Sequence, residues 1–494
     1  MSLTCAARVA SALAFAALAG CSVGPDYEKP AAPAPEKFKE AEGWKPAQPR
    51  EVESGQPWWS VFDDAVLDSL EREIDISNET VKSAEAAYRA AQALVAEARA
   101  GYFPTLDLTG SAIRSGGGPG ISTSPGRGGG TGTRGGFAQN TFAASATASW
   151  VPDIWGSIRR TVESDVANAQ ASGADLAAAR LAAQATLAAD YFQLRVEDET
   201  MQLLRDTVDA YTRFLQITQN QYGAGTAARS AVAAAQAQLE NTRSQLIALG
   251  VPRSQFEHAI AVLVGKPPAD FAIAPAPLPA AIPVTPPNLP SQLLERNPTI
   301  AANERAMAAA NAKIGVAIAG YFPNVTLGAS YGQESSMLHT LFTAASSLWS
   351  FGLTSISLPV FNGGLTAAEV EFARATYDGT VANYRQAVLT TFQQVEDELA
   401  ASRILEQQAE VQNRAVEAAE LAEQLALNQY RAGTVDYTTV IIAQATALAD
   451  EEAALSIRQS RFVASVDLIE ALGGGWDAAA LAAEDPPASN NAAP

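Results

Sequence analysis

Asn220-Gln221-Tyr222-Gly223-Ala224-Gly225-Thr226 returns 208 residues later as Asn428-Gln429-Tyr430-Arg431-Ala432-Gly433-Thr434. Each copy runs into a helix-forming segment that carries Ala-Gln-Ala, at 235–237 and at 443–445. A second pair points to the same duplication. Gly101-Tyr102-Phe103-Pro104 recurs as Gly320-Tyr321-Phe322-Pro323, an offset of 219 residues. The two offsets differ as a Gly-rich insertion near 115–136, with other changes of loop length, would make them differ. The sequence therefore reads as two copies of one supersecondary unit, 58–274 and 293–472, joined by a Pro-rich linker at 275–292.

Inside each unit the expected order is helix, strand, strand, very long helix, turn and long helix. The opening helices are expected over 61–100 and 293–319, each ending before its Phe-Pro. Strands are expected near 104–113 and 140–151, then 323–332 and 349–360, because apolar and small polar residues alternate there. Phe142, Ala144, Ala146, Ala148 and Trp150 share one face; Val325, Leu327, Ala329 and Tyr331 do the same in the second unit. The last strand starts in phase with Trp349, Phe351 and Leu353, then changes phase at Ser355, which predicts a bulge or an exit from the sheet. Strands of this length with one apolar and one small polar face suit a membrane barrel with a wet interior. Four cannot close a barrel, and an open edge cannot face lipid. Several copies together would meet both conditions, whereas a water-soluble sheet packed on helices would need neither.

Long helical hairpins are expected over 157–264 and 365–472. No proline interrupts 161–222, and Leu187, Leu194, Met201, Val208 and Leu215 recur every seven residues. Val381, Val388 and Val395 repeat the pattern, with Phe392 and Leu399 interleaved. Such spacing specifies coiled-coil packing, and sixty helical residues reach about 90 Å. A solid rod uses the same periodicity, so the helices alone leave rod and tube both open.

Arg8 precedes an apolar run from Val9 to Ala19, too short to span a bilayer, and Leu18-Ala19-Gly20-Cys21 ends it. This is the layout of a secretory signal over 1–20. The ending resembles a bacterial lipoprotein signal, in which Cys21 would become the lipid-bearing first residue of a mature chain of about 474 residues. Ser22 in place of an aspartate favours the outer membrane in that class. Residues 21–57, rich in Pro, Ala and charge, read as an extended tether, and 473–494 as a disordered tail. The other cysteine, Cys5, lies in the signal, so the mature chain has no disulfide. A net charge of −20 excludes a nucleic-acid partner, which needs a basic face.

At this point the chain resembles the TolC/OprM-like outer membrane factors, lipoprotein branch, over nearly all of its mature length. The resemblance rests on Cys21-Ser22-Val23-Gly24-Pro25-Asp26-Tyr27 with Pro30, and on Trp58-Trp59 with Phe62, Asp64, Leu67 and Leu70. It rests further on Phe-Pro before the strands, Leu263-Val264-Gly265-Lys266-Pro267-Pro268, the paired tips, and Ala471-Leu472-Gly473-Gly474-Gly475-Trp476. It implies a mainly α fold with a membrane β-barrel: a homotrimer sharing twelve strands in one outer-membrane barrel and twelve helices in a periplasmic α-barrel. It implies a passive outlet for small drugs or toxic compounds, working with a periplasmic adaptor protein and an inner-membrane resistance-nodulation-division transporter. A channel for secreted protein or for metal, or a structural lipoprotein without a pore, is the alternative.

The family's adaptor-docking tips fall on Tyr222, Gly225, Thr226, Tyr430, Gly433 and Thr434, and its periplasmic gate on Asp436 and Tyr437. A plain helix-helix turn, with Asp436 capping the next helix, is the competing account of these positions. The chain departs from the family at Ile442, Ala228, Arg229 and Ala231, where acidic residues are frequent, so its gate is expected to carry less negative charge. Nothing points to an enzyme or to a cofactor or metal site. His258 and His339 are far apart in the sequence, and no nucleophile triad or metal-ligand spacing occurs. The Gly-rich loop lacks the strand-loop-helix setting of a phosphate cradle.

Overall fold

A computed structural model describes residues 23–32, 35, 37–40, 57–116, 138–279, 281–283 and 295–479. The signal, Cys21, the loop 117–137, the linker over 284–292 and the tail from 480 lie outside the described residues. After a 3₁₀ turn at Trp58–Phe62 come α1 (Ala65–Ser77), α2 (Glu79–Ala100), β1 (Thr105–Gly116), β2 (Ala138–Trp150), α3 (Ser157–Gly223), α4 (Arg229–Ala248) and α5 (Gly250–Leu263). The second half supplies α6 (Pro298–Ala319), β3 (Asn324–Ser335), β4 (Ser347–Ser357), α7 (Leu365–Arg431) and α8 (Tyr437–Ala471). The chain divides into two compact units, one from 1–29, 90–169 and 306–381, the other from 30–89, 170–305 and 382–494.

The first unit holds an antiparallel sheet in the order β1-β2-β3-β4. Its register sets Leu106 and Leu108 opposite Ala148 and Ala146, then Ala329 and Tyr331, then Phe351 and Trp349, so one face is apolar. Among the described residues nothing covers that face: Leu108 is 82% exposed and Phe351 85%. On the other face hydroxyls meet across the strands, Thr109 with Ser145 and Ser330 with Ser350, both at 2.8 Å. β1 and β4 each have a single neighbour among the described strands. Pairing passes from Thr326–Ser355 to Leu327–Leu353, which leaves Thr354 as the extra residue of a bulge, one position from the predicted phase change.

The second unit is built on aromatic and aliphatic packing. Phe192 lies between Phe62, 4.8 Å away, and Phe462, 4.7 Å away, among buried Trp59, Leu67, Ile74, Leu187, Leu194 and Ile260. The seven-residue stripe is seen in Leu187 and Leu194 but then moves over. Leu204, Tyr211 and Thr218 are buried, while Met201, Val208 and Leu215 are only half-buried. The buried stripe is thus displaced by three positions, a discontinuity of the kind that locally changes the winding of a coiled coil.

Three expectations about boundaries are revised. The single opening helix is broken at Asn78, whose extended backbone ends α1; its Oδ1 accepts from Val81 N (2.9 Å) and its Nδ2 donates to Leu263 O (2.8 Å). The return helix over 229–264 is interrupted at Leu249; Pro252, in the first turn of α5, has no N–H to offer the carbonyl of Ala248. The tail expected to be disordered from 473 is placed as far as 479: Gly473–Gly475 turn left-handed and Trp476 packs on Ala174, Ala301 and Ala302.

Two extended segments are held by side chains instead of strands. In the tether, Phe38 is buried edge-on to Phe392 (6.2 Å), and the Glu396 carboxylate accepts from Lys39 N and Glu40 N (2.7 and 2.9 Å). In the linker, Arg253 and Arg195 donate to Ile273 O and Ala274 O (both 2.7 Å), and Arg458 donates to Pro279 O (2.7 Å). Glu257, Asp198 and Glu199 accept from the N–H of Ile273, Ala276 and Leu278. Each of these side chains comes from α3, α5 or α8, while Ile273 and Leu278 insert into the core.

Glu71 on α1 is fully buried and neither of its oxygens has a hydrogen-bond partner. Burial, then the charge of Asp75, pushes it up to about 9. The folded chain thus holds a proton that the unfolded chain releases above about pH 4.5, and stability falls as pH rises between those values. Glu71→Gln should therefore stabilise the protein, by on the order of 2–4 kcal/mol at pH 8 and by little at pH 4.5. Thermal midpoints of the variant and the parent at the two pH values check this; an unchanged difference would show that Glu71 is ionised.

Candidate functional site: the paired hairpin tips

The two predicted tips have one backbone. Thr226 N bonds Gln221 O and Gly225 N bonds Tyr222 O, both at 2.9 Å; Thr434 N bonds Gln429 O (3.0 Å) and Gly433 N bonds Tyr430 O (2.9 Å). This pair of bonds caps the last carbonyls of α3 and α7, and it puts the glycine at positive φ, +76° and +75°. Thr226 and Thr434 add their hydroxyls to the same carbonyls, Gln221 O and Gln429 O. Glycine and threonine thus stand in the motif because a helix must stop there and reverse.

The side chains break the symmetry. Tyr430 donates to Gln221 Oε1 at 2.7 Å, which ties the second tip to the first, whereas Tyr222 is half-exposed. Asp436 is exposed and caps α8, its Oδ1 accepting from Thr439 N and Oγ1, both at 3.1 Å. The equivalent residue of the first tip is Ala228, so α4 starts without a side-chain cap. Tyr437 is buried: its ring stacks on Phe214 at 4.8 Å and 10° and meets Tyr430 at 5.6 Å. Burial, then the neighbouring Tyr211 and Tyr430, raises its phenol above the ordinary value.

The structure therefore brings Tyr430, Gly433, Thr434, Asp436 and Tyr437 together with Tyr222, Gly225 and Thr226 at the ends of adjacent hairpins. Tyr437 packs inside that junction, not on its surface. Sequence reasoning missed Phe214, Gln221 and Val440, which complete the junction; Gln221 was legible in the repeated Asn-Gln-Tyr. Carboxylates gather farther along the hairpin, where Glu420, Glu423 and Glu452 raise the already half-buried Glu451 after burial itself. Ile442, at a departure from the resembled family, is exposed.

With this geometry in view, comparison with known proteins is decisive. The family described as outer membrane efflux protein matches residues 72–266 and 289–474. The chain belongs to this family. Its relatives include the toluene efflux pump outer membrane protein TtgC of Pseudomonas putida, 30% identical over 462 residues, covering 93% of each chain. Another is the probable outer membrane lipoprotein SilC of Salmonella typhimurium, 28% identical and covering 93% of this chain and 96% of that one. Among solved structures, the outer-membrane channel OprN superposes with a TM-score of 0.84 at 30% identity, over 92% of this chain and all of that one. Membership makes the chain an outer membrane efflux channel of mainly helical fold with a β-barrel portion.

The junction predicts a graded mutational response. Tyr437→Phe should be close to neutral, while Tyr437→Ala should destabilise the tips by about 3 kcal/mol, as emptying a buried aromatic site does. Ala228→Asp should add the cap that Asp436 provides in the other repeat and stabilise α4 by about 1 kcal/mol. Protease resistance of the tips measures both, and equal sensitivity of the two Tyr437 variants would remove the ring stack from the account.

Proposed function

We propose that three copies of this chain pool their sheets into one twelve-stranded barrel in the outer membrane and their helices into a twelve-helix periplasmic tunnel. The observation that carries this reading is the four-stranded sheet, with an uncovered apolar face and two open edges. Those edges need strand partners wherever the face meets lipid. Three equal sheets laid edge to edge satisfy the backbone and put the Ser/Thr face around a wet interior. A family model over both repeats and the OprN superposition support the same assembly.

In this reading the channel does no chemistry and consumes no energy. Small toxic or amphipathic compounds are handed to it by an inner-membrane transporter through a periplasmic adaptor, which docks on the tips at Tyr222–Thr226 and Tyr430–Thr434. Relatedness to a toluene pump component supports that client class. Asp436 would form a ring of three carboxylates at the periplasmic end, with Tyr437 holding the tips in register behind it. Lipid on Cys21 would anchor each copy, a reading that the lipoprotein relative supports.

Chemical cross-linking in membranes should trap trimers, and purified trimers in planar bilayers should conduct, with Asp436→Ala raising conductance several-fold. A protein that runs as a monodisperse monomer in detergent, or trimers silent even as Asp436→Ala, would instead identify a spacer lipoprotein.

A further inference from the structure

A cavity of about 650 Å³ lies where α3, α6 and α7 approach the sheet, α6 leading into β3 and the other two following β2 and β4. Ser164 and Asp165 reach it from α3, Lys313 and Ala317 from α6, and Glu369 and Phe372 from α7. That volume is in the range of pockets that hold drug-sized molecules.

Its polar groups lack partners. Ser164 is 2% exposed, yet its Oγ has no hydrogen-bond partner among the described residues. A buried hydroxyl normally has one; Thr161, one turn earlier, donates to Ser157 O at 2.8 Å. Asp165, Glu369 and Lys313 form no ion pair among the described residues, so two carboxylates outnumber one ammonium and the cavity is net negative. Phe372 is 75% exposed, and among the described residues its ring meets no other.

The tether fixes which side of α6 this is. Tyr27 packs on Ala308, Asn311 donates to Pro25 O at 3.1 Å, and Gly315 lies against Gly24. Ala310, Lys313 and Ala317 of the cavity each stand two positions later, about 200° round the helix. The cavity therefore opens on the side of α6 that the tether leaves bare.

We propose that this cavity binds organic cations that carry N–H donors on an aromatic body, as a station on the export path. This rests on the export role above: with one side of α6 under the tether, the bare side is the one left to line the passage. Asp165 and Glu369 attract the charge, and Ser164 Oγ accepts from an N–H. The aromatic body lies on Phe372, and a cation over that ring gains further. Lys313 repels the same charge and keeps residence short, as a conducting path requires.

Full-length protein in phosphatidylcholine nanodiscs, titrated with ethidium and read by fluorescence polarisation against empty discs, tests the site. Ethidium should bind saturably, and fluorescein, a tricyclic anion, should neither bind nor compete. Asp165→Asn should weaken ethidium about tenfold, the loss of one charge-assisted hydrogen bond. Lys313→Gln should tighten it about three-fold by removing the like charge, a change that misfolding cannot imitate. Ala317→Leu should fill the cavity and abolish saturable binding. No saturable signal above empty discs, equal binding of fluorescein, or variants that stay at the parent level would overturn the site. Conductance of the same trimers in planar bilayers is read separately. Binding by silent trimers would overturn the channel and the station with it, while conducting trimers without binding would overturn the site alone.

Discussion

A peptide group that faces hydrocarbon without a hydrogen-bond partner is the most expensive arrangement this chain could adopt, and its architecture follows from avoiding it. Helices satisfy their own backbone, so the long hairpins are stable wherever their apolar stripes are covered. The four strands do not: among the described residues β1 and β4 each leave an edge unpaired, beside a face carrying Leu106, Leu108, Tyr331, Trp349 and Phe351. Such a sheet is incomplete alone, and closure by identical neighbours removes all edges at once. Duplication of the unit halves the number of copies needed, since each chain already brings two hairpins of strand.

Most of the plan was legible because it rests on local rules. The repeated tip sequence gave the duplication, since a helix reversal needs glycine at positive φ and the same capping residues each time. Period-two alternation gave four strands, and even the irregularity near Ser355 was visible as a change of phase. What stayed hidden depends on contacts distant in sequence. The break at Asn78 is tied to Leu263, 185 residues away, and the Glu396 grip on the tether spans more than 350 residues. Tyr437 was legible as a tip residue, yet its burial required Phe214 from the other hairpin. Trp476 could not be placed from its Gly-rich surroundings, because Ala174 and Ala301 come from other elements.

The tips combine a shared backbone turn with different side-chain contacts. The two capping bonds recur in both backbone turns, and the first turn adds one from Ala227 N to Gln221 O at 3.3 Å. Side chains then divide the work: one tip carries the cap and the buried stack, the other an uncapped helix start and an exposed tyrosine. The inter-tip bond from Tyr430 to Gln221 is neutral and single. A neutral hydrogen bond contributes only about 1 kcal/mol net, so the hairpins are held together mainly by the buried packing of Phe214 on Tyr430 and Tyr437. The exposed Asp436 and the more distant collar around Glu451 leave the negative charge distributed along the hairpin instead of concentrated at its end.

The strap over 271–279 has an evolutionary corollary. Arginines and carboxylates grip it by its peptide groups, which every amino acid except proline supplies alike. Apart from Phe271, Ile273 and Leu278, whose bodies pack on or fill the core, its side chains contribute little to that grip. Genetic drift should therefore run freely through this stretch, while Arg195, Asp198, Arg253 and Glu257, lying on helices that look ordinary in the sequence, tolerate almost none.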